Sequence, residues 1–225
     1  MPDRCIFYYI TDRRQFPGNQ ASQRTKLLDK IGEAARCGVE FIQLREKDLS
    51  TRDLEQLTGD ALGVIRNSSP GDRDSRLETK LLINSRSDVA LALGADGVHL
   101  RSDDFSVPDA RAIASSVLGR ASPSPSRAWH IAVSCHTEQD VAKAAADGSD
   151  FVVFAPVFGK SGAGSRPAGL IALQRVCRNA VPVLALGGIT IENAESCLEA
   201  GAAGIAGIRL FQDNNIAEVI RRIGR

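Results

Sequence analysis

The chain has 225 residues, with 28 lysines and arginines against 27 aspartates and glutamates and a formal net charge of +1. This near-neutral balance excludes the clustered basic surface that nucleic-acid-binding proteins present. No apolar run approaches the ~20 residues that a membrane-spanning helix needs. Hydrophobic residues make up 43% of the chain, enough for a large buried core. We therefore expect a globular protein that has neither a nucleic-acid nor a membrane partner.

The N-terminus passes directly into a short apolar run that ends at an acidic residue. It lacks the longer apolar segment and the small-residue cleavage site of a signal peptide, so we predict a cytoplasmic location. The five cysteines are odd in number and lack the CxxC spacing of zinc sites. We interpret them as small buried hydrophobic residues.

Short apolar, β-branched runs recur along the chain, and most are continuous, as in parallel strands that are covered on both faces. Amphipathic segments with helical spacing lie between them. Eight strand–helix units predict a (β/α)8 barrel, and the absence of a dinucleotide fingerprint favours the barrel over a doubly wound open sheet. No linker interrupts the alternation, which predicts one domain over residues 1–225. The predicted strands are 5–11, 40–44, 80–84, 97–100, 130–134, 151–156, 182–186 and 204–208, and the predicted helices are 24–36, 53–66, 87–93, 107–117, 138–146, 168–178, 191–200 and 216–223.

Two polar insertions, 67–79 and 119–128, are rich in proline, serine or glycine and fall between a helix and the next strand. In a barrel this is the end opposite the active site, so we interpret both as flexible decoration. The glycine-rich loop 159–168 follows the sixth strand at the active end, where we expect it to act as a lid.

Polar residues at the carboxyl ends of the strands are the ones that reach the reaction space of a barrel. Gln43, Arg45 and Lys47 share one face of the second strand by its two-residue period. Two cations on one side suit a doubly charged anion such as a diphosphate, whereas the alternative is ion pairing with Glu46, Asp48 or neighbouring residues. We favour the anion because of the position. The other polar strand-end residues are Asp12, Asn84, Ser85, Arg86, His99, Arg101, Asp103, Asp104, Ser134, His136, Lys160, Arg166 and Arg209.

Two further pairs of neighbouring residues point to anion binding. Gly187 and Gly188 follow the seventh strand, where they free backbone N–H groups to approach a ligand. Together with the start of a helix after strand eight they predict a phosphate site. Asp103 and Asp104 either hold a Mg2+ ion that bridges a diphosphate or cap the following helix.

The three histidines differ in position. His136, after the fifth strand, is a candidate general acid or base, although a lone histidine is more often structural. His99 lies further inside its strand, so we predict a core residue. His130 opens a strand at the opposite end of the barrel and receives no role.

Nearly the whole chain resembles thiamine phosphate synthase and its close relatives, the TenI-type thiazole tautomerases. The most specific segments are YYITD (8–12), IQLREKDLS (42–50), INSRSDVALALGADGVHL (83–100), VSCHT (133–137) and PVLALGGIT followed by ENA (182–194). The resemblance implies a (β/α)8 transferase that joins hydroxymethylpyrimidine diphosphate to a thiazole phosphate and releases diphosphate with the assistance of Mg2+. Departure of the diphosphate leaves a pyrimidine cation, which the thiazole nitrogen captures.

The resemblance also implies roles for individual residues. Arg45 and Lys47 would contact the diphosphate, and Asp104 would be a ligand of the Mg2+ cofactor. The implied substrate-binding residues are Gln43 for the pyrimidine, Asn84 and Ser134 for the pyrimidine or the diphosphate, and Gly188, Ile208 and Arg209 for the thiazole phosphate.

The chain departs from the synthase pattern at several places. Ser85 stands where synthases carry an aspartate, so one expected Mg2+ ligand is missing. The segment GKSGAGSR (159–166) replaces a Pro-Thr-x-Thr-Lys segment, and Lys160 or Arg166 would supply the lost cation. The remaining departures are Arg209, in place of a serine in the last phosphate loop, and Arg101-Ser102, in place of a Gly-Gln pair.

Three functions stay open at this point. A tautomerase needs neither diphosphate nor Mg2+, and its catalytic histidine corresponds to His136. A non-catalytic barrel would bind thiazole or thiamine phosphates as a sensor. Retention of Arg45, Lys47, Asn84 and Asp104 favours the synthase. The expected partners are its small-molecule substrates, and a homo-oligomer is compatible with the sequence.

Overall fold

The computed structural model describes residues 4–68, 78–121, 129–159 and 167–224. Eight parallel strands pair in chain order, and β1 also pairs with β8, so that the sheet closes into a barrel. The strands are β1 (Ile6–Ile10), β2 (Phe41–Leu44), β3 (Lys80–Asn84), β4 (Gly97–Leu100), β5 (His130–Cys135), β6 (Phe151–Phe154), β7 (Val183–Ala185) and β8 (Gly204–Gly207). The prediction of a (β/α)8 barrel is confirmed.

Helices follow the strands around the outside of the barrel. They are α1 (Gln20–Arg36), α2 (Thr51–Ser68), α3 (Ser87–Leu93), α4 (Val107–Ala121), α5 (Glu138–Ala146), α6 (Gly169–Val176), α7 (Ala194–Glu199), α8 (Arg209–Gln212) and α9 (Ile216–Ile223), with a 3-10 turn at Arg13–Gln15. Both α1 and α2 begin earlier than predicted because polar side chains cap them. Asn19 Oδ1 accepts a hydrogen bond from Ser22 N at 2.9 Å, and Ser50 Oγ accepts one from Asp53 N at 3.2 Å.

The interior of the barrel is filled with side chains below the carboxyl ends of the strands. Tyr8, Leu82, Phe151 and Leu184 are buried there, and the Tyr8 ring meets Phe151 edge-on with 5.3 Å between centroids. A larger apolar layer packs between the strands and the helices. Because side chains fill the lower interior, the described part of the barrel leaves its room for a ligand at the carboxyl end of the strands.

The described ends of the two insertions are regular or packed structure, and the interpretation of the remainder as flexible decoration stays a prediction. Helix α2 continues to Ser68 and α4 to Ala121, so the first residues of 67–79 and 119–128 are helical. Thr79 is buried, and its hydroxyl donates to the carbonyl oxygen of Val39 at 2.7 Å. Residues 69–77 and 122–128 lie outside the described residues.

Within the described ranges, no helix is both long enough and apolar enough to cross a membrane. All five cysteines are described, and none forms a disulfide. Cys135 and Cys197 are buried, and burial raises the pKa of each thiol to about 12. Cys5, Cys37 and Cys177 are half-buried against the outer apolar layer. The cysteines therefore act as packing residues, as predicted.

Candidate active site

A cavity of about 760 Å3 opens at the carboxyl ends of the strands. The predicted site residues that line it are Gln43, Arg45, Lys47, Asn84, Ser134, His136, Gly187, Gly188, Ile208 and Arg209. Asp104 instead lines a smaller cavity of about 90 Å3, which shares Arg101, Ser102 and Ser134 with the larger one. Lys160 and Arg166 lie outside the described residues, as does most of the predicted lid.

Two cations stand at the mouth of the cavity without a carboxylate partner. Arg13 takes both neighbouring acids, because its guanidinium contacts Glu46 at 3.0 Å and Asp48 at 2.7 Å. Within the described part of the chain, neither Arg45 nor Lys47 forms an ion pair. The structure therefore removes ion pairing with Glu46 or Asp48 as the explanation of these two cations.

A third cation, Arg101, also lines the cavity. The proximity of Arg45, together with burial and the charge of Arg101, lowers the pKa of Lys47. The lowered pKa means that the positive charges of Arg45 and Arg101 repel the protonated form of Lys47. An anion with more than one negative charge relieves this repulsion, so the electrostatics favour a diphosphate or a similar ligand.

A chain of amides holds the pyrimidine-binding candidates in place. Gln43, on β2, is buried, and its Nε2 donates to Oδ1 of Asn84 at 3.0 Å. Asn84 Nδ2 in turn donates to Ser85 Oγ at 3.1 Å. Ser85 has a positive φ of 60° and orients Asn84 where an aspartate was expected as a metal ligand. The Gln43 amide keeps an acceptor oxygen and a second N–H, which together complement an aminopyrimidine edge.

His99 is buried, as predicted, but it is also part of the site. Its Nε2 lies 2.7 Å from Ser134 Oγ, and its Nδ1 lies 2.9 Å from the Tyr8 hydroxyl. Burial, with a smaller contribution from the charge of Arg45, lowers the pKa of His99 to about 3. The sequence analysis missed this contact. The available signal was that His99 and Ser134 both fall on inward positions of neighbouring strands.

His136 is held at the rim of the cavity. Its backbone N–H donates to the Asp140 carboxylate at 2.9 Å, and its Nδ1 lies 2.8 Å from the carbonyl oxygen of Ala155. A carbonyl oxygen only accepts, so Nδ1 carries the proton and Nε2 is the basic nitrogen. No described residue pairs with Nε2. His136 is therefore arranged as a proton acceptor.

Gly187 and Gly188, for which a phosphate site was predicted, have left-handed φ values of 99° and 64°. A Cβ on Gly187 would lie 2.8 Å from Pro156 Cα, and one on Gly188 would lie 2.8 Å from Phe158 Cβ. Within the described residues, no group accepts a hydrogen bond from either N–H. The loop therefore presents backbone donors in a space that only glycine allows, beside Ile208 and Arg209.

The donor set for Mg2+ is small. No group of three histidine, cysteine, aspartate or glutamate side chains converges within the described residues. Asp103 pairs with the Arg101 side chain, and Asp104 Oδ2 accepts the Arg101 backbone N–H at 2.7 Å. The alternative interpretation, in which Asp103 and Asp104 cap the following helix, is wrong. Ser106 Oγ caps α4 instead, because it accepts a hydrogen bond from the Asp109 N–H at 3.3 Å. Mg2+ takes few protein ligands where phosphates supply the rest, so Asp104 fits as a single ligand beside a diphosphate.

The closed barrel and the cationic cavity are typical of enzymes that act on phosphorylated small molecules. Comparison with known protein families narrows this class. The thiamine monophosphate synthase family matches residues 7–211, so the chain belongs to that family. The resemblance to this family that the sequence motifs indicated is confirmed.

Individual relatives agree with this assignment. The chain is 35% identical over 206 residues to the putative thiamine-phosphate synthase 2 of Aquifex aeolicus, covering 91% of this chain and 96% of that protein. It is 38% identical over 207 residues to the thiamine-phosphate synthase of Roseiflexus castenholzii, with 90% and 79% covered. A solved thiamine phosphate pyrophosphorylase from Pyrococcus furiosus superposes with a TM-score of 0.74 at 26% identity, covering 97% of this chain and 93% of that one.

Proposed function

We propose that the protein is a thiamine phosphate synthase that couples hydroxymethylpyrimidine diphosphate to a thiazole phosphate. The observation that carries the proposal is the cationic mouth of the cavity, where Arg45 and Lys47 are unpaired within the described residues. Family membership over most of the chain supports the same reaction.

The reaction breaks the bond between the pyrimidine methylene carbon and a diphosphate oxygen, and the thiazole nitrogen then forms a bond to that carbon. Negative charge develops on the departing oxygen. Arg45 and Lys47, already in place at the cavity mouth, stabilise this charge without reorganisation. Gln43 and Asn84 orient the pyrimidine so that the leaving group faces the cations.

The second substrate would occupy the opposite wall. Gly187 and Gly188 offer backbone N–H groups to its phosphate, and Ile208 and Arg209 close the subsite. Holding both substrates in one cavity places the thiazole nitrogen beside the methylene carbon, which converts a bimolecular step into an effectively unimolecular one.

Mg2+ is the proposed cofactor, with Asp104 as its protein ligand. When bound, the ion neutralises charge on the diphosphate oxygens. Cations from Lys160 or Arg166, a cytoplasmic location and a homo-oligomer all stay predictions.

A coupling assay tests the proposal directly. Purified protein receives the pyrimidine diphosphate, the thiazole phosphate and Mg2+, and both thiamine phosphate and released diphosphate are followed. Formation of the two products in equal amounts, at a rate that is about 10- to 100-fold lower in Lys47→Ala, is the expected result. Folded protein that binds thiazole phosphate but forms no product would overturn the synthase.

The geometry of His136 supports a second candidate, the thiazole tautomerase. Its Nδ1 is fixed as a donor, so Nε2 is available to move a proton on a thiazole carboxylate phosphate. Isomerisation of that substrate without Mg2+, lost in His136→Gln, would favour this reaction. Tight phosphate binding with neither activity would favour the non-catalytic sensor.

A further inference from the structure

Three polar side chains, Tyr8, His99 and Ser134, form a continuous hydrogen-bond network through the barrel interior into the cavity. The Tyr8 hydroxyl, on β1, lies 2.9 Å from His99 Nδ1, on β4. His99 Nε2 lies 2.7 Å from Ser134 Oγ, on β5. Tyr8 is fully buried, and only Ser134 reaches the open cavity far enough to be half-exposed. No other described residue bonds to either hydroxyl.

The protons in this hydrogen-bond network can be placed in two ways, which are the two solutions compared below. His99 is neutral, so one ring nitrogen donates and the other accepts. If Nδ1 carries the proton, it donates a hydrogen bond to the Tyr8 hydroxyl, and the Ser134 hydroxyl must donate its own proton to Nε2. If Nε2 carries the proton, Tyr8 donates to Nδ1 and Nε2 donates to Ser134.

Burial of Tyr8 decides between these solutions. The same burial raises the pKa of Tyr8 well above its ordinary value, so the phenol keeps its proton. In the first solution this proton has no acceptor among the described residues, and an unsatisfied buried donor is unfavourable. In the second solution the Tyr8 proton has an acceptor, and both ring nitrogens of His99 take part in hydrogen bonds. The second arrangement therefore prevails.

We infer that Tyr8 and His99 are positioning residues that hold Ser134 as a hydrogen-bond donor toward the ligand. Ser134 Oγ accepts from His99 Nε2, so its own proton is free to point into the cavity. Its partner is an acceptor atom of the pyrimidine diphosphate, either a ring nitrogen or a diphosphate oxygen. The choice of ligand rests on the proposed function, but the proton arrangement does not.

The chain supplies a matched pair of variants. Tyr8→Phe removes the donor to His99 and retains the ring. Tyr9→Phe makes the same chemical change at the next residue, whose buried hydroxyl has no hydrogen-bond partner in the described part of the chain. Loss of a hydroxyl as such affects both variants, whereas loss of the proton arrangement affects only Tyr8→Phe.

Nitrogen-15 NMR of histidine-labelled protein reads the tautomer without any activity. The three histidines are assigned with His130→Gln and His136→Gln. We expect His99 with a proton on Nε2 and an accepting Nδ1 in the wild type and in Tyr9→Phe, and a mixture of tautomers in Tyr8→Phe. A wild-type proton on Nδ1, or a tautomer unchanged by Tyr8→Phe, would overturn the inference.

Binding and kinetics test the consequence. We expect Tyr8→Phe to lower kcat/KM for the pyrimidine diphosphate by about tenfold, with the affinity for thiazole phosphate unchanged. In a Ser134→Ala background, Tyr8→Phe should have no further effect. Weaker binding of inorganic diphosphate in Tyr8→Phe identifies a diphosphate oxygen as the acceptor, and unchanged binding identifies a ring nitrogen. An equal loss in the Ser134→Ala background would overturn the role of Ser134. If no thiamine phosphate forms in the coupling assay while the His99 tautomer is as expected, the proposed function is wrong and the inferred proton arrangement is retained.

Discussion

The guanidinium of Arg13 contacts the carboxylate of Glu46 at 3.0 Å, with side-chain exposures of only 6% and 1%. The Thr11 hydroxyl donates to the same carboxylate at 2.7 Å. The Arg13–Glu46 ion pair connects the segment that follows β1 with the segment that follows β2. It thereby fixes the backbone that carries Arg45 and Lys47 at the cavity mouth.

Arg13→Met should lower the free energy of unfolding by about 3–5 kcal/mol at neutral pH, because it leaves a buried carboxylate without its partner. Arg24→Met is the control. Its ion pair with Asp60 is much more exposed, and the expected loss is about 0–1 kcal/mol. Urea unfolding of both variants provides the measurement, and similar losses in the two would contradict the expectation.

The loss in Arg13→Met should depend on pH. Burial raises the folded-state pKa of Glu46, partly offset by Thr11 and Arg13, and removal of Arg13 raises it further. At any pH above that value the folded state must hold Glu46 as a charged carboxylate without a cation beside it, which lowers the free energy of unfolding. The destabilisation should shrink as pH falls through the pKa and the carboxyl becomes neutral. A loss that stays constant over this range would show that the charge of Glu46 is irrelevant.

Lys47→Ala should lower kcat/KM for the pyrimidine diphosphate by about 10- to 100-fold, the range of a lost hydrogen bond to a charged group. Asp103→Ala should change it by about threefold or less, since Asp103 is exposed and, among the described residues, its side chain pairs with Arg101 alone. Steady-state kinetics on both variants compares them. Equal, small effects would remove Lys47 from the diphosphate site.

Gly188→Ala and Gly94→Ala form another matched pair, with φ values of +64° and +66°. Both should lose about 1 kcal/mol of stability from the left-handed backbone. Only the Cβ at position 188 meets a neighbour, Phe158, beside the cavity. The affinity for thiazole phosphate, measured by calorimetry, should fall in Gly188→Ala alone, and an unchanged affinity would place the phosphate elsewhere.

Arg101→Gln should shift the alkaline limb of the kcat/KM profile upward. The charge of Arg101 contributes to the lowered pKa of Lys47, after Arg45 and burial. Without Arg101 the lysine keeps its proton to higher pH, so the site stays cationic longer. The shift should decrease at high salt, which screens charges at a solvent-exposed site. A limb that moves down, or does not move, would exclude coupling between the two side chains.

Asp104→Asn should raise the Mg2+ concentration for half-maximal turnover by about tenfold or more, because Mg2+ favours carboxylate ligands. The asparagine oxygen still accepts the Arg101 N–H, so the loop is retained. Asp103→Asn is the control and should leave the Mg2+ requirement unchanged. An identical requirement in wild type and Asp104→Asn would assign the ion to other ligands.

The strands were predictable to within one or two residues because buried parallel strands are continuous apolar runs that end where polar residues begin. The start of α1 at Gln20 was not predicted, since Asn19 caps a first turn without an apolar face. The partner of Glu46 was unpredictable for another reason. Which cation reaches a given acid depends on how two loops pack, and the sequence spacing of Arg45 and Lys47 favoured them equally. The contact of Tyr8 with His99 likewise exists only once the barrel has closed.

Closure of the barrel also has a consequence for how the chain assembles. One edge of β1 pairs with β2, and the hydrogen-bonding groups of its other edge pair with β8, for example where Ile6 lies opposite Gly204. Joining them closes a loop of nearly the whole chain, which is entropically unfavourable and slow. If the first seven strands pair before the last strand emerges from the ribosome, the resulting parallel sheet has two unpaired edges. Such edges are templates for association with other chains, so the period before residue 204 is translated is when this protein is most exposed to aggregation.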